Sequence, residues 1–157
     1  MISMEEQKVT SFFRFEDLRV YEKALDYYTW LLNQVRNADE FDKKTLLMPF
    51  LDTAARISMN IADGSSNQKN EFVEYLKAAK SCVSQCVVYT AIALKNNMIT
   101  EQQSEESREM LVELTKMVGA MIISFTRKNY ANPHKPYREM DVDSGNELSL
   151  DSLDLNY

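Results

Sequence analysis

Six residues near the end of the chain have the right types for holding nucleic acid. Arg127, Lys128, Lys135 and Arg138 supply cations, and Tyr130 and Tyr137 lie between them. Cations neutralise phosphates and aromatic rings stack on bases, a combination that suits a single strand. The plainer reading is a basic helix end, whose positive side chains favour the negative pole of the helix dipole. Cys82 and Cys86, four apart, are the only cysteines, and His134 is the only histidine. Zinc takes four ligands, and these three residues do not share a segment. Buried thiols are therefore expected, with no metal and no cofactor. Asn60 stands inside "ARISMNIADG", a run otherwise apolar and helix-like. A buried amide without partners costs ~1–3 kcal/mol. Asn60 is thus expected to tie to free backbone groups of a helix-ending turn that includes Asp63 and Gly64. A ligand contact is the second reading of the same residue.

The elements that must position these groups are written in the apolar pattern. Leu18, Tyr21, Leu25, Tyr28, Leu32 and Val35 step by threes and fours. So do Leu47, Phe50, Ala54, Ile57 and Ile61, then Phe72, Leu76, Ala79, Val83, Cys86, Thr90 and Ala93, then Leu111, Leu114, Val118, Met121 and Phe125. Each is a seam of the period that helices crossing at small angles require. The joins have their own chemistry. Gly64 suits a left-handed helix end, and Asn96 and Asn97 can end the third helix in the same way. Asn67 is expected to cap the third helix. Thr100 with Gln103 reads as a capping box for the fourth. Pro49 belongs either to the first turn of the second helix or to a kink. The fold expected is an all-α, antiparallel up-down-up-down four-helix bundle over residues 12–130. A non-helical acidic tail follows over 131–157.

Composition agrees with that class. The chain has 157 residues but only three glycines and three prolines, too little turn punctuation for a sheet protein of this size. One domain is expected. No apolar run is long enough to span a membrane, and the first residues do not resemble a signal peptide, so a cytoplasmic protein is expected. The net charge is −6. Most of it lies in residues 138–157, where Arg138 stands against Glu139, Asp141, Asp143, Glu147, Asp151 and Asp154. Leu148, Leu150, Leu153 and Leu155 alternate with those acids. The near-neutral body lacks the basic excess of an obvious nucleic-acid binder. The stretch "VSQCVVYTAIAL" at 83–94 is apolar nearly all round, and Tyr27, Trp30 and Leu31 widen the first helix's stripe. A helix apolar on two sides is covered on two sides, which points to a homo-oligomer.

Three stretches carry a family resemblance: "FEDLRVYEKALDYY" at 15–28, "NIADG" at 60–64 and "NEFVEYLKAAKS" at 70–81. They resemble the four-helix-bundle proteins encoded by intervening sequences in bacterial 23S rRNA genes, historically filed as a ribosomal protein family. Accessory proteins of diversity-generating retroelements are similar. The resemblance covers roughly residues 12 to 128. It implies a bundle, bacterial origin, a ring-like homo-oligomer (a pentamer in the best-understood relatives) and a capacity for nucleic-acid binding, without a catalytic site. The chain departs from the family where basic residues are usual, with Leu51 and Asp52 before the Asn-Ile-Ala block and Ser65, Ser66 and Asn67 after the glycine. Gln85 and Val87 stand where the third helix usually carries acids. The basic surface is therefore thinner here. Arg127 and His134 also match the Arg-x6-His spacing of the HEPN ribonucleases, but Pro133 breaks the helix between them and Lys128 replaces the usual polar residue. A non-enzymatic bundle contacting RNA or a nucleoprotein is the reading that follows. The alternative is a protein-protein scaffold that recruits a partner through the acidic tail.

Overall fold

The computed structural model describes residues 11–130; the tail over 131–157 lies outside them. Four long helices account for most of this length: α1 (Arg19–Val35), α2 (Met48–Ser65), α3 (Lys69–Lys95) and α4 (Glu101–Tyr130). A short 3₁₀ turn, Arg14–Asp17, leads into α1. There is no strand among the described residues. Each long helix packs chiefly on two neighbours, α1 on α2 and α4, and α3 on α2 and α4.

The contacts between helices give their directions. Along α1 and α4, Lys23 meets Glu113, Tyr27 meets Ser107, Trp30 meets Glu106 and Gln34 meets Gln103. Positions rise in α1 as they fall in α4, so the two run antiparallel. Phe50 near the start of α2 stacks on Tyr89 late in α3, with ring centroids 5.3 Å apart. Phe72 early in α3 meets Phe125 late in α4, also at 5.3 Å. One continuous core fills the space between the four helices.

The expected seams of α2 and α3 are the buried ones: every residue from Leu47 to Ile61 and from Phe72 to Ala93 named above lies in the interior. In α4, Leu111, Leu114 and Val118 are buried, while Met121 and Phe125 are half-covered. The seam of α1 is displaced. Its buried residues are Val20, Ala24, Tyr27, Leu31 and Val35. Leu18, Tyr21, Tyr28 and Leu32 only flank the core, and Leu25 is exposed. Both stripes have helical spacing. Tyr27 and Leu31, expected to widen the stripe toward a second copy, are themselves core, and Trp30 packs against it.

Local chemistry explains the joins. Thr100 and Gln103 form the expected capping box, with Thr100 N donating to Gln103 Oε1 at 2.8 Å and Gln103 N donating to Thr100 Oγ1 at 3.1 Å. At the end of α3, Asn97 has φ 56°, in the left-handed region. Met98 N donates to the Ala93 carbonyl at 2.9 Å and Asn97 N to the Leu94 carbonyl at 3.1 Å, the paired bonds of a Schellman end. Asn67 does not cap α3. That place is taken by Gln68, without a side-chain bond, while Asn67 Nδ2 donates back to the Asp63 carbonyl at 2.8 Å. Pro49 lies in the first turn of α2, directly after a π-helical segment, Lys43–Leu47. A proline ring crowds the carbonyl four residues back, and the wider π turn supplies the room.

Candidate functional site

The six-residue cationic and aromatic group is only partly within view. Arg127 is exposed on the last part of α4, and Lys128 and Tyr130 continue that helix. Lys135, Tyr137 and Arg138 lie outside the described residues, as does His134. What is placed is one exposed guanidinium near the C-terminal end of the 30-residue α4.

Asn60, Asp63 and Gly64 do not form a turn. All three are helical, because α2 runs on to Ser65. Gly64 has no positive φ. Its role is close approach instead. A Cβ at Gly64 would fall 2.6 Å from Phe72 Cδ2 and 2.6 Å from Tyr75 Cβ, so α2 and α3 converge where only a hydrogen fits. The carbonyl of Asp63 accepts from Asn67 Nδ2 and, at 3.0 Å, from Ser66 Oγ. The Asn60 amide is a tie, but to a different partner from the one expected. Asn60 Nδ2 donates to the Arg56 carbonyl of its own helix at 2.8 Å and reaches Cys82 Sγ on α3 at 3.9 Å. The orphan carbonyls of the helix end lie one turn further on, so an i−4 carbonyl is the nearer acceptor.

Both cysteines are buried and unpaired. Burial pushes the Cys82 thiol up from its ordinary value, and the charge of Arg56 opposes this. Burial, then the neighbouring Cys82, pushes Cys86 up to about 12. A thiol held protonated is a poor nucleophile and a poor metal ligand at neutral pH. Among the described residues, no three His, Cys, Asp or Glu side chains gather to hold a metal.

Two further features lie away from these residues. The first is a buried hydroxyl group of three. Tyr27 Oη lies 2.9 Å from Ser107 Oγ, Ser107 Oγ lies 2.8 Å from Thr90 Oγ1, and Thr90 Oγ1 donates to the Cys86 carbonyl at 2.8 Å. Burial raises the Tyr27 phenol far above its usual range. The group joins α1, α3 and α4 at one level. The signal was present: Ser104 and Ser107 continue the buried stripe of Leu111, Leu114 and Val118 by threes and fours, and the expected seam began only at Leu111.

The second feature is the outer side of α3. Its inner side is complete, yet Val88 remains 58% exposed and Ile92 39%. With Gln85 and Tyr89 they line a shallow groove of about 320 Å³. Val112 on α4 is also exposed. Val88 and Ile92 are the exposed large apolar residues of the 83–94 stretch expected to be apolar nearly all round. No helix among the described residues is long and apolar enough to cross a membrane.

No curated protein matches the chain. The family model described as 23S rRNA-intervening sequence protein matches residues 16–120, a span that opens in the Phe-Glu-Asp-Leu stretch and runs through the Asn-Ile-Ala-Asp-Gly block into α4. That span is well over half of the 157 residues, and it agrees with the four helices and the motifs on them: the chain belongs to the 23S rRNA-intervening sequence protein family.

Proposed function

We propose that this is a non-enzymatic cytoplasmic assembly protein whose copies associate through the outer side of α3 and together contact structured RNA or a nucleoprotein. One observation carries the reading: Val88 and Ile92 stand exposed on a helix whose core-facing side is already filled. A second copy is the simplest cover for such a surface, since self-association reuses one patch on every subunit. A single exposed Arg127 at a helix end is a weak phosphate contact. Repeated around a ring, weak contacts add through effective concentration. Membership of the family supports the RNA half of the reading.

Light scattering on the full chain tests the assembly. Val88→Glu with Ile92→Glu is expected to reduce the mass to that of one subunit while the helical spectrum persists. An unchanged mass, or a native protein that is already monomeric, refutes the interface. The RNA contact is tested by titrating 23S rRNA fragments at ~50 and ~200 mM salt, where phosphate contacts must weaken steeply. No binding at the lower salt refutes that half alone.

A further inference from the structure

At the end of the bundle where α4 finishes, a cleft of about 290 Å³ opens between the helices. Leu18, Phe72 and Phe125 give it an apolar floor, and Arg14 and Lys69 give it a cationic rim. Neither cation has an ion-pair partner among the described residues. An adjoining hollow is lined by Phe12 and Phe13, which are 91% and 54% exposed. Exposed aromatic rings beside unpaired cations are an unfinished surface for a protein in water. The occupant it suits is apolar and acidic at once.

We propose that the chain's own residues 147–155 occupy this cleft, with leucines against Leu18, Phe72 and Phe125 and carboxylates against Arg14 and Lys69. The segment holds Leu148, Leu150, Leu153 and Leu155 interleaved with Glu147, Asp151 and Asp154, and no cation. Charge and apolar content thus match the rim and the floor. The geometry also favours attachment in cis. Tyr130 lies five residues beyond Phe125, roughly 8 Å along the helix axis. At random-coil dimensions a 16-residue tether, the length from 131 to 146, reaches roughly 20–25 Å, enough to bring the segment back to the same end of the bundle. A tether of that length gives an effective concentration on the order of 1 mM. A segment with a Kd of ~0.1 mM would then be docked roughly nine-tenths of the time. The first turn of α3, which begins at Lys69, also lacks a side-chain cap, so a carboxylate at the rim meets free N–H groups. The groove at Val88 suits this segment less. It lies roughly 24 Å along α3 from Phe72 and has no cation in its lining.

The test places a nitroxide on the full chain through Ser152→Cys. The buried native thiols leave the new cysteine as the accessible one. Paramagnetic broadening of backbone amides is then read across the bundle. Expected is loss of more than half the signal at Lys69, Phe72 and Phe125, with Val88 and Ile92 unaffected. Arg14→Glu with Lys69→Glu should restore those signals. Adding Asp151→Lys with Asp154→Lys to that variant should broaden them again. The charge reversals are compatible with folding, because Arg14 is exposed and an acid at position 69 favours a helix N-terminus. Three results overturn the proposal: no broadening at the cleft, broadening that survives the Arg14 and Lys69 reversals, or broadening in a mixture where the label and the observed amides are on different copies. The last would assign the cleft to a second copy.

Discussion

Gly64→Ala separates two accounts of the α2–α3 join by the sign of its effect. In an open helical position, replacing glycine by alanine stabilises by ~1 kcal/mol, because alanine loses less backbone freedom on folding. At Gly64 the new methyl would stand 2.6 Å from Tyr75 Cβ and 2.6 Å from Phe72 Cδ2. Ordinary carbon contacts begin near ~3.5 Å, so one helix must move by roughly 1 Å. The Phe72 ring can turn, but Tyr75 Cβ is fixed to the backbone of α3. Overpacking of this kind costs ~1–3 kcal/mol, and the fixed neighbour places this site toward the upper end. Against the helix-propensity gain, a net loss of ~1–2 kcal/mol remains. For a chain of this length that lowers Tm by roughly 3–6 °C. Thermal unfolding followed at 222 nm measures it. Gly64→Asn adds a second discriminator. A left-handed helix end tolerates asparagine, whereas a close helix approach makes asparagine worse than alanine. A rise in Tm for Gly64→Ala, or an asparagine variant as stable as the native chain, refutes the close approach.

Tyr27→Phe should cost ~1 kcal/mol in urea unfolding, for one hydrogen bond, and Thr90→Val ~1–2 kcal/mol, for two. Together they should depart from additivity by ~0.5 kcal/mol or more, because Ser107 serves both, and strict additivity would dissolve the group. The raised Cys86 thiol sets a pH dependence. Below pH ~9 the thiol is protonated in both folded and unfolded chains. Between there and about 12 only the unfolded chain ionises, so stability falls as pH rises. Cys86→Ala should flatten that fall in denaturant melts taken at pH 8, 9 and 10, and an unchanged slope would contradict it. Thr100→Ala should lose ~1 kcal/mol through the capping box, whereas Asn67→Ala should lose only a few tenths, since Asn67 does not cap α3; equal losses in thermal melts would count against that difference.

Periodicity read the seams of α2 and α3 correctly because no second stripe of large apolar residues runs the length of either helix, Val88 and Ile92 on α3 being a short pair. On α1 two such stripes compete, Leu18–Tyr21–Leu25–Tyr28 and Val20–Ala24–Tyr27–Leu31, and only the neighbours decide which faces inward. Gly64 was misread for a related reason. A glycine near the end of an apolar run signals a left-handed residue, and the same letter signals a close helix crossing. Nothing local distinguishes them, since the clash comes from Phe72 and Tyr75 on the next helix. The Thr100 box and the Asn97 end were legible because both are complete within a few residues. Of the candidate site, the cluster at 127–138 was read from residue types, and its part beyond Tyr130 lies outside the described residues. The cleft at Arg14 and Lys69 did not, because its residues come from three separate parts of the chain.

Many polar side chains of the bundle bond to their own helix. Thr45 donates to the Phe41 carbonyl, Thr53 to Pro49, Asn60 to Arg56, Thr115 to Leu111 and Thr126 to Ile122. No buried side-chain nitrogen or oxygen among the described residues lacks a partner. Such bonds close as soon as a turn of helix forms, before any helix meets another. When α2 and α3 then come together, hydroxyls such as Thr53 arrive already satisfied, and assembly proceeds on apolar burial alone. The exceptions on α1 are Trp30, Gln34 and, most deeply buried, Tyr27. Its hydroxyl exchanges water for Ser107 only once α1 settles against α4. The polar groups of the bundle thus divide by where their hydrogen bonds close, within one helix or only where helices meet.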